Sequence, residues 1–452
     1  MTGNTFLDEV LAAMIEAGGR PVIVGGWVRD RALGIDSKDI DIEVFGWDVH
    51  TLEEFLWWHG DVDEVGKSFG VLRLHGLDVD FSIPRRDSKS GTGHRGFDIE
   101  VDGTMTIEEA ASRRDFTINT LALDVETGEI VDVFGGLEDL QAHVLRHTSG
   151  QFGEDPLRVL RGFQFCARFD LDATQETLAV CHELAAEADT LAIERVWEEW
   201  HKWATRGTIL SAGLIFLRQA GWLPSALGDL FGLRQDREWH PEGSAWLHTL
   251  HTVDAAHAIA ERDGLTGEDR EALIFAALLH DVGKAVTTEE VDGHIVSPGH
   301  PQAGVEIAET FLQEIGAPRH LIARVLPLIA EHMAHVSNAP TSRSVRRLAR
   351  RLAPATVQEL GRVIEADHSA RPPLPGGLPD QAAAMVELAE ALAVVDRAPT
   401  PLVMGRHLLE LGWTPGEHVG EALRAAFEAQ LDGEFETAED GTAWVADRWP
   451  PR

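Results

Sequence analysis

The stretch that most constrains the fold is Asp39-Ile40-Asp41-Ile42-Glu43-Val44-Phe45, in which charged and apolar residues alternate strictly. A strand sends successive side chains to opposite faces, so Ile40, Ile42 and Val44 share one face while Asp39, Asp41 and Glu43 share the other. Carboxylates two residues apart on a strand lie roughly 6–7 Å apart at Cα, near enough to reach one divalent cation. Like charges that close need a cation or a proton between them. Upstream, the apolar run Val22-Ile23-Val24 ends in Gly25-Gly26, and Val28 to Leu33 reads as a short helix stopped at Gly34. A glycine turn entering a helix lets the backbone N–H groups of Gly25 and Gly26 approach an anion, and Arg29 adds a charge-assisted donor. Together these pieces predict a place for a triphosphate and its metal.

Gly25-Gly26-x-Val28-Arg29-Asp30 followed by Asp39-x-Asp41 resembles the signature of the class II RNA nucleotidyltransferases, the CCA-adding enzymes and bacterial poly(A) polymerases. The resemblance implies a polymerase-β-like palm in which Asp39 and Asp41 are catalytic ligands of Mg²⁺. Leu77 to Ile83 alternates again, with Leu77, Val79, Phe81 and Ile83 on one face, and Asp80 on the other becomes the candidate third acidic group, as many such palms have. Pro84 to Asp98 is nearly devoid of large apolar residues, cannot be buried, and is expected to be a mobile loop. Ser112 to Leu121 is similar to the family's RRDFTIN element, and Arg114 is carried over as a nucleotide contact; adjacent guanidiniums suit phosphates.

The segment Gly153-Glu154-Asp155-Pro156-Leu157-Arg158 opens a helical region, with Asp155 suited to an N-cap and Pro156 to the first helical position. In the class II family the matching Glu-Asp-x-x-Arg element reads the incoming base. Carried over, Asp155 and Arg158 would meet the edges of cytosine or adenine, with Arg161 in support; a carboxylate accepts from an exocyclic amine, and an arginine donates to ring nitrogen or carbonyl oxygen. Leu191 to Trp200 resembles the neck helix of relatives, where Arg195 reads as structural.

A second constellation runs through His248, His280-Asp281-Val282-Gly283-Lys284, His300, His332 and Asp367, each set in apolar helical patterns. Imidazoles and carboxylates are ligands for borderline divalent metals. Their order resembles an HD-type metal-dependent phosphohydrolase. In that reading His248, His280, Asp281 and Asp367 form one metal site and His300 with His332 complete a second, for Mn, Fe, Co, Ni or Mg²⁺. His251, His257 and His335 are taken as bystanders.

The chain has 452 residues, enough for roughly two to four domains. Its two cysteines, Cys166 and Cys181, lie in helix-like apolar patterns far from any CxxC, so no disulfide framework or zinc site is implied, which suits a reducing cytoplasm. No basic start with an apolar run and no eighteen-residue apolar stretch are present, so a cytoplasmic protein with no membrane partner is expected. A net charge of −36 is the wrong sign for a general nucleic-acid binder, so RNA contact must come from local basic patches. Arg343, Arg346, Arg347, Arg350 and Arg351 at helical spacing are the obvious candidate for an RNA backbone.

The expected fold is α+β: a small mixed-sheet, polymerase-β-like palm (1–145), an all-α neck with the nucleobase-selecting element (146–225), a helical HD domain (226–375) and, after a proline-rich linker, a C-terminal helical region (380–452). The resemblance implies addition of C and A from CTP and ATP to an RNA 3′ end, above all tRNA, with HD activity on 2′,3′-cyclic or 2′-phosphate ends. The competitors are a less selective poly(A)-type tailing enzyme and a phosphohydrolase with a regulatory nucleotide-binding palm.

Overall fold

The computed structural model describes residues 3–37, 39–65, 71–75, 77, 79–89, 97–336 and 339–449. The chain divides into two compact units, Met1–Trp203 with Gly207–Leu223, and Ala204–Arg206 with Pro224–Arg452. Among the described residues no helix is long and apolar enough to cross a membrane.

The first unit is built on a seven-stranded mixed sheet. Its strands are β1 (Arg20–Val24), β2 (Ile40–Phe45), β3 (Val62–Val65), β4 (Val71–Leu74) and β5 (Val79–Ser82). A separate pair, β6 (Arg85–Lys89) and β7 (Phe97–Val101), intervenes in the chain before β8 (Ala122–Asp124) and β9 (Ile130–Val131) complete the sheet. The order is β3-β4-β5-β2-β1-β8-β9, with β2 and β5 parallel and the remaining neighbours antiparallel. Ile40, Ile42 and Val44 enter the core beside Val79, Phe81 and Ile83 as the alternation predicts, packed with Leu7, Val10, Leu11 and Met14 from the helix Thr5–Glu16.

Two expectations need correction. The alternation places Glu43 on the acidic face with Asp39 and Asp41, yet it is buried. On that face Val22 lies opposite Glu43 and Val24 opposite Asp41, and Val22, Val24 and Phe45 pack with Ala110 of the helix Ile107–Ser112. The arginines that follow this helix reach Glu43, so only the Asp41 end of the face stays open. The segment 84–98, expected as a loop, instead carries most of the antiparallel pair β6–β7; residues 90–96 lie outside the described residues.

The second unit contains the helices Ala245–Asp263, Gly267–Leu279, His300–Glu314, Arg319–Glu331 and Val357–Ser369, which pack on one another. A smaller apolar cluster, including Leu408, Trp413, Ala426 and Phe435, organises the C-terminal helices Gly405–Glu410 and Glu417–Asp432. The basic helix Ser342–Leu352 buries Val345, Leu348, Ala349 and Leu352. Its arginines are occupied by the protein's own acids: Arg343 and Arg347 pair with Asp432 at 3.0 and 2.6 Å, Arg346 with Glu436 at 2.9 Å, Arg350 with Glu428 and Arg351 with Glu331 at 2.6 Å. The expectation of a free RNA-binding stripe is therefore replaced by a docking face for the C-terminal segment, with acids from residues 428–436 neutralising the stripe.

Candidate functional site

In the first unit, the parallel register of β2 and β5 sets Asp41 directly opposite Asp80. Asp39 is exposed just ahead of β2 and Asp41 is solvent-accessible within it. Although open to water, Asp41 is held above the usual carboxylate range by desolvation from the surrounding protein, with Arg114 opposing, and by the charges of Asp80, Glu43 and Asp39. A carboxylate so placed is relieved by a cation. Asp80 is committed to Arg73 at 2.7 Å, and among the described residues the three palm carboxylates do not form one of the groups whose donors converge within 4.8 Å.

Arg113 and Arg114 both reach Glu43 Oε1, at 2.8 and 3.0 Å, and Arg114 also donates to the carbonyl of Asn119 at 3.2 Å. Arg114 is thereby laid against the glycine turn. Gly25 has φ +72°, which favours glycine, and a Cβ there would stand 2.7 Å from Arg114 Nη1 and push the guanidinium off the turn. Gly26 begins the helix Gly26–Ala32. Arg29, expected to contact phosphate directly, is only 3% exposed. Its Nε and Nη2 donate to Asp30 at 2.9 and 2.6 Å, its Nη1 to Asn119, and its guanidinium lies over the rings of Phe165 and Phe169. It ties the turn to the helix Leu157–Phe169, a tie strengthened by Arg168 on the other oxygen of Asp30 at 3.0 Å.

Asp115 is the hub of the RRD element. It is buried and accepts from Phe116 N at 2.8 Å, Asn119 Nδ2 at 2.9 Å and Arg161 Nε at 2.6 Å. Its burial opposes ionisation, but Arg161 and these hydrogen bonds prevail and hold its carboxyl below the usual range. Asp155 accepts from Leu157 N at 3.1 Å, the expected capping bond, and from Arg195 Nη2 at 2.8 Å. Arg158 donates to the carbonyls of Gln151 at 2.8 Å and Arg113 at 2.6 Å. Asp155 and Arg158 are thus both held by the protein's own groups, with Arg195 as a holder of Asp155.

In the second unit all six predicted donors come together, each from a helix or its end. His248 lies in the first turn of its helix, His280 and Asp281 follow Leu279, His300 begins a helix, His332 follows Glu331, and Asp367 lies near the end of Val357–Ser369. Gly283 is dictated by packing, since a Cβ there would stand 2.0 Å from the carbonyl oxygen of His300. His248 Nε2 is 3.0 Å from Asp367 Oδ1 and 3.3 Å from His280 Nε2. Asp281 Oδ2 lies 3.3 Å from His280 Nε2, and its Oδ1 lies 3.3 Å from His300 Nε2. Asp281 therefore joins two donor groups, one with His248 and His280, the other with His300 and His332.

The tautomers follow from chemistry. His280, His300 and His332 each place Nδ1 at 2.7–2.9 Å from the backbone carbonyl three residues back. A carbonyl can only accept, so each Nδ1 carries the proton and Nε2 of the neutral ring offers a lone pair inward. Burial, with the neighbouring His280 and His300, drives His332 down to about 3, so it is neutral at physiological pH. His300 Nε2 and His332 Nε2 face one another at 3.1 Å, an arrangement that needs positive charge between two lone pairs. Against the desolvation of full burial, Asp367 and Glu242 lift His248 to about 9; positive charge is favoured here too. The donor set fits divalent metal.

Glu242 and His240 lie in the stretch Glu238 to Leu250 that opens this constellation, but the sequence gives neither a role. Glu242 Oε1 lies 2.9 Å from His248 Nδ1 and 3.0 Å from His240 Nδ1. Only its position six residues before His248 could have pointed to it. Because such outer partners fix a ligand's tautomer, Glu242→Gln is expected to weaken metal binding about 10- to 100-fold. Calorimetric titration of the full chain with Mn²⁺ checks this, and an unchanged affinity would count against Glu242 as the support of His248.

A profile of the Poly A polymerase head domain matches residues 22–146, which span the acidic strand, the glycine turn and the Asp115 hub. One of the HD domain matches residues 246–371, which hold all six donors. The chain is a nucleotidyltransferase carrying an HD domain. It is 35% identical over 433 residues to the multifunctional CCA protein of Xanthomonas oryzae pv. oryzae, covering 92% of this chain and 99% of that one. To the multifunctional CCA protein of Neisseria meningitidis serogroup A it is 37% identical over 303 residues, 66% of this chain and 69% of the relative. The chain belongs to the multifunctional CCA protein family. Its fold is also that of the Bacillus stearothermophilus CCA-adding enzyme in complex with CTP, at TM-score 0.66, 21% identity and coverage of 98% and 96%. The Thermotoga maritima CCA-adding enzyme complexed with tRNA gives TM-score 0.58, 19% identity and coverage of 98% and 94%.

Proposed function

We propose that the chain adds C and A from CTP and ATP to the 3′ end of tRNA at the first-unit site, and hydrolyses 2′,3′-cyclic or 2′-phosphate ends at the HD site. The observation that carries the first half is the meeting of three motifs distant in sequence. Arg114 of the RRD element touches Glu43 of the acidic strand and lies against Gly25 of the turn. In this reading Asp39 and Asp41 hold Mg²⁺, with Asp80 as a neighbouring charge, and Arg114 with the Gly25-Gly26 backbone takes the triphosphate. Arg29 positions the turn rather than touching phosphate. Asp155 and Arg158 read the amine and ring edge of the base, and Arg161, locked to Asp115, keeps that helix in place.

Mg²⁺ at Asp39 and Asp41 supplies charge neutralisation for the triphosphate and activation of the RNA 3′-hydroxyl. At the HD site a transition metal or Mg²⁺ on His248, His280, Asp281, His300, His332 and Asp367 supplies an activated water. Against the desolvation of full burial, His280 and Lys284, the latter 2.6 Å from Asp281 Oδ2, hold that carboxylate ionised between the two donor groups. The pairing of activities is chemically coherent, since a polymerase needs a free 3′-hydroxyl and a hydrolase that clears a blocked end provides one.

The test is a 3′-extension assay with Mg²⁺ on a tRNA ending at its discriminator base and on an unrelated single-stranded RNA, with each nucleoside triphosphate alone and CTP with ATP. Extension limited to C and A, stopping at CCA on the tRNA alone, is expected. Long or unselective tails on both RNAs would overturn the tRNA reading in favour of a poly(A)-type enzyme.

A further inference from the structure

The seven-stranded sheet carries a row of charges beside Asp41 that nucleotide addition does not by itself require. Register aligns Asp80 with Asp41 across β5 and β2, and Arg73 with Asp80 across β4 and β5. Arg73, Asp80 and Asp41 therefore stand side by side on three successive strands, about 5 Å from one backbone to the next. Residues in register share a face, so all three side chains leave the sheet on the side of Asp41. The next position in the row, Val24 of β1, leads directly into the Gly25-Gly26 turn.

Like charges directly opposite one another destabilise a sheet, and the charge of Asp80 does bear on Asp41. The relief comes from the far end of the row. Arg73 Nε and Nη2 both lie 2.7 Å from Asp80 Oδ1, which commits that oxygen to β4, the strand away from Asp41. Arg73 and Asp80 are 40% and 31% exposed, and ion pairs so open to water add little to stability. The fold does not depend on this one. Further along β2 the same arrangement recurs, with Glu43 taken by Arg113 and Arg114 at 2.8 and 3.0 Å. The acids bordering Asp39-x-Asp41 are thus each given an arginine, which leaves that pair to face a cation. Mg²⁺ demands six positions and works on nucleotides with one or two carboxylates plus phosphate oxygens. A third carboxylate on it would tighten its hold and take a position from the triphosphate.

We propose that Arg73 is a positioning residue that withholds Asp80 from the Mg²⁺ of the first-unit site, keeping it a two-carboxylate centre with positions open to the triphosphate. The inference deepens the nucleotide-addition reading and rests on it. Asp80 becomes a withheld carboxylate rather than a third ligand, and its release changes how strongly metal is bound.

The full chain would be titrated with Mg²⁺ in equilibrium dialysis against radiolabelled CTP, a readout that needs no turnover. CTP retained by Asp41→Ala is subtracted, so that only the first-unit site is read. Arg73→Gln is expected to lower the Mg²⁺ concentration for half-maximal CTP binding by about tenfold or more, and Arg73→Lys to stay near wild type. A merely structural role predicts the opposite sign, because a loosened sheet weakens the site. In the Asp80→Asn background no carboxylate is released, so Arg73→Gln should shift the midpoint by about threefold or less, as loss of a nearby charge alone does. The difference between the two backgrounds isolates the action of Arg73 through Asp80. Equal shifts in both backgrounds overturn the proposal, as does an unchanged or raised midpoint in Arg73→Gln. Mg²⁺-dependent CTP binding by a wild type that extends no RNA would remove the nucleotide-addition reading and leave the Arg73 comparison standing. No Mg²⁺-dependent CTP binding in the wild type would overturn both.

Discussion

Asp41→Ala is expected to slow nucleotide addition by about a thousandfold or more while leaving the chain at least as stable as before. The two halves share one cause. Asp41 is held above its ordinary range by desolvation, with Arg114 opposing and with Asp80, Glu43 and Asp39 adding to it. A carboxylic acid whose folded pKa is raised is harder to ionise in the folded state than in the unfolded one. Above its unfolded value of about 3.9 the ionised group therefore destabilises the fold. Alanine removes that cost. It also removes a charge that would hold a cation where negative charge builds up in the transition state, an effect of several kcal/mol, with each 1.4 kcal/mol worth about tenfold. The check is paired: the extension rate in Mg²⁺, and thermal unfolding in a chelating buffer. Lost stability with retained addition would mean that Asp41 is an architectural residue and the catalytic carboxylates lie elsewhere.

The contrast between Asp41 and Glu43 also shows where reading from sequence stops. Both lie on the polar side of one alternating strand, and nothing within Asp39 to Phe45 distinguishes them. The distinction comes from the helix Ile107–Ser112 and from Arg113 and Arg114, some seventy residues on, which cover one and leave the other open. Arg29 fails to be legible for the same reason: its burial depends on Asn119, Phe165 and Phe169. The basic helix misleads because charge pattern along a chain does not record which acids fold onto it. The convergence of His248, His280, Asp281, His300, His332 and Asp367, by contrast, is what the sequence leads one to expect, because a histidine beside an aspartate at the end of an apolar helix, as at His280-Asp281, has few structural uses. Glu242 is not so expected, since a single glutamate before a helix resembles any surface residue until His248 Nδ1 is found 2.9 Å away.

The largest effect on the fold is expected at Asp115. Its carboxylate satisfies the Phe116 N–H, the Asn119 amide and Arg161, and through Asn119 it steadies Arg29. Asp115→Ala strands a buried backbone donor and removes the partner of Arg161. Breaking a buried pair costs about 3–5 kcal/mol, but the Arg161 side chain is 36% exposed and can recover water, so about 2–4 kcal/mol is expected. Asp115→Asn keeps an acceptor without the charge and should fall between the alanine variant and wild type. The carboxyl is held below its ordinary range, so the ionic contribution is fully present above the unfolded value of about 3.9 and is lost as pH falls through the lower folded value. The gap between wild type and Asp115→Asn should therefore be widest near neutral pH and close toward strong acid. With two compact units the chain cannot be treated as a single two-state transition, so the measurement should be local. Hydrogen exchange across 113–121 and 157–169 is expected to accelerate about 30-fold or more in Asp115→Ala. Protection equal to wild type in both segments would show that the hub holds nothing, and the role of Arg161 in steadying the helix Leu157–Phe169 would fall with it.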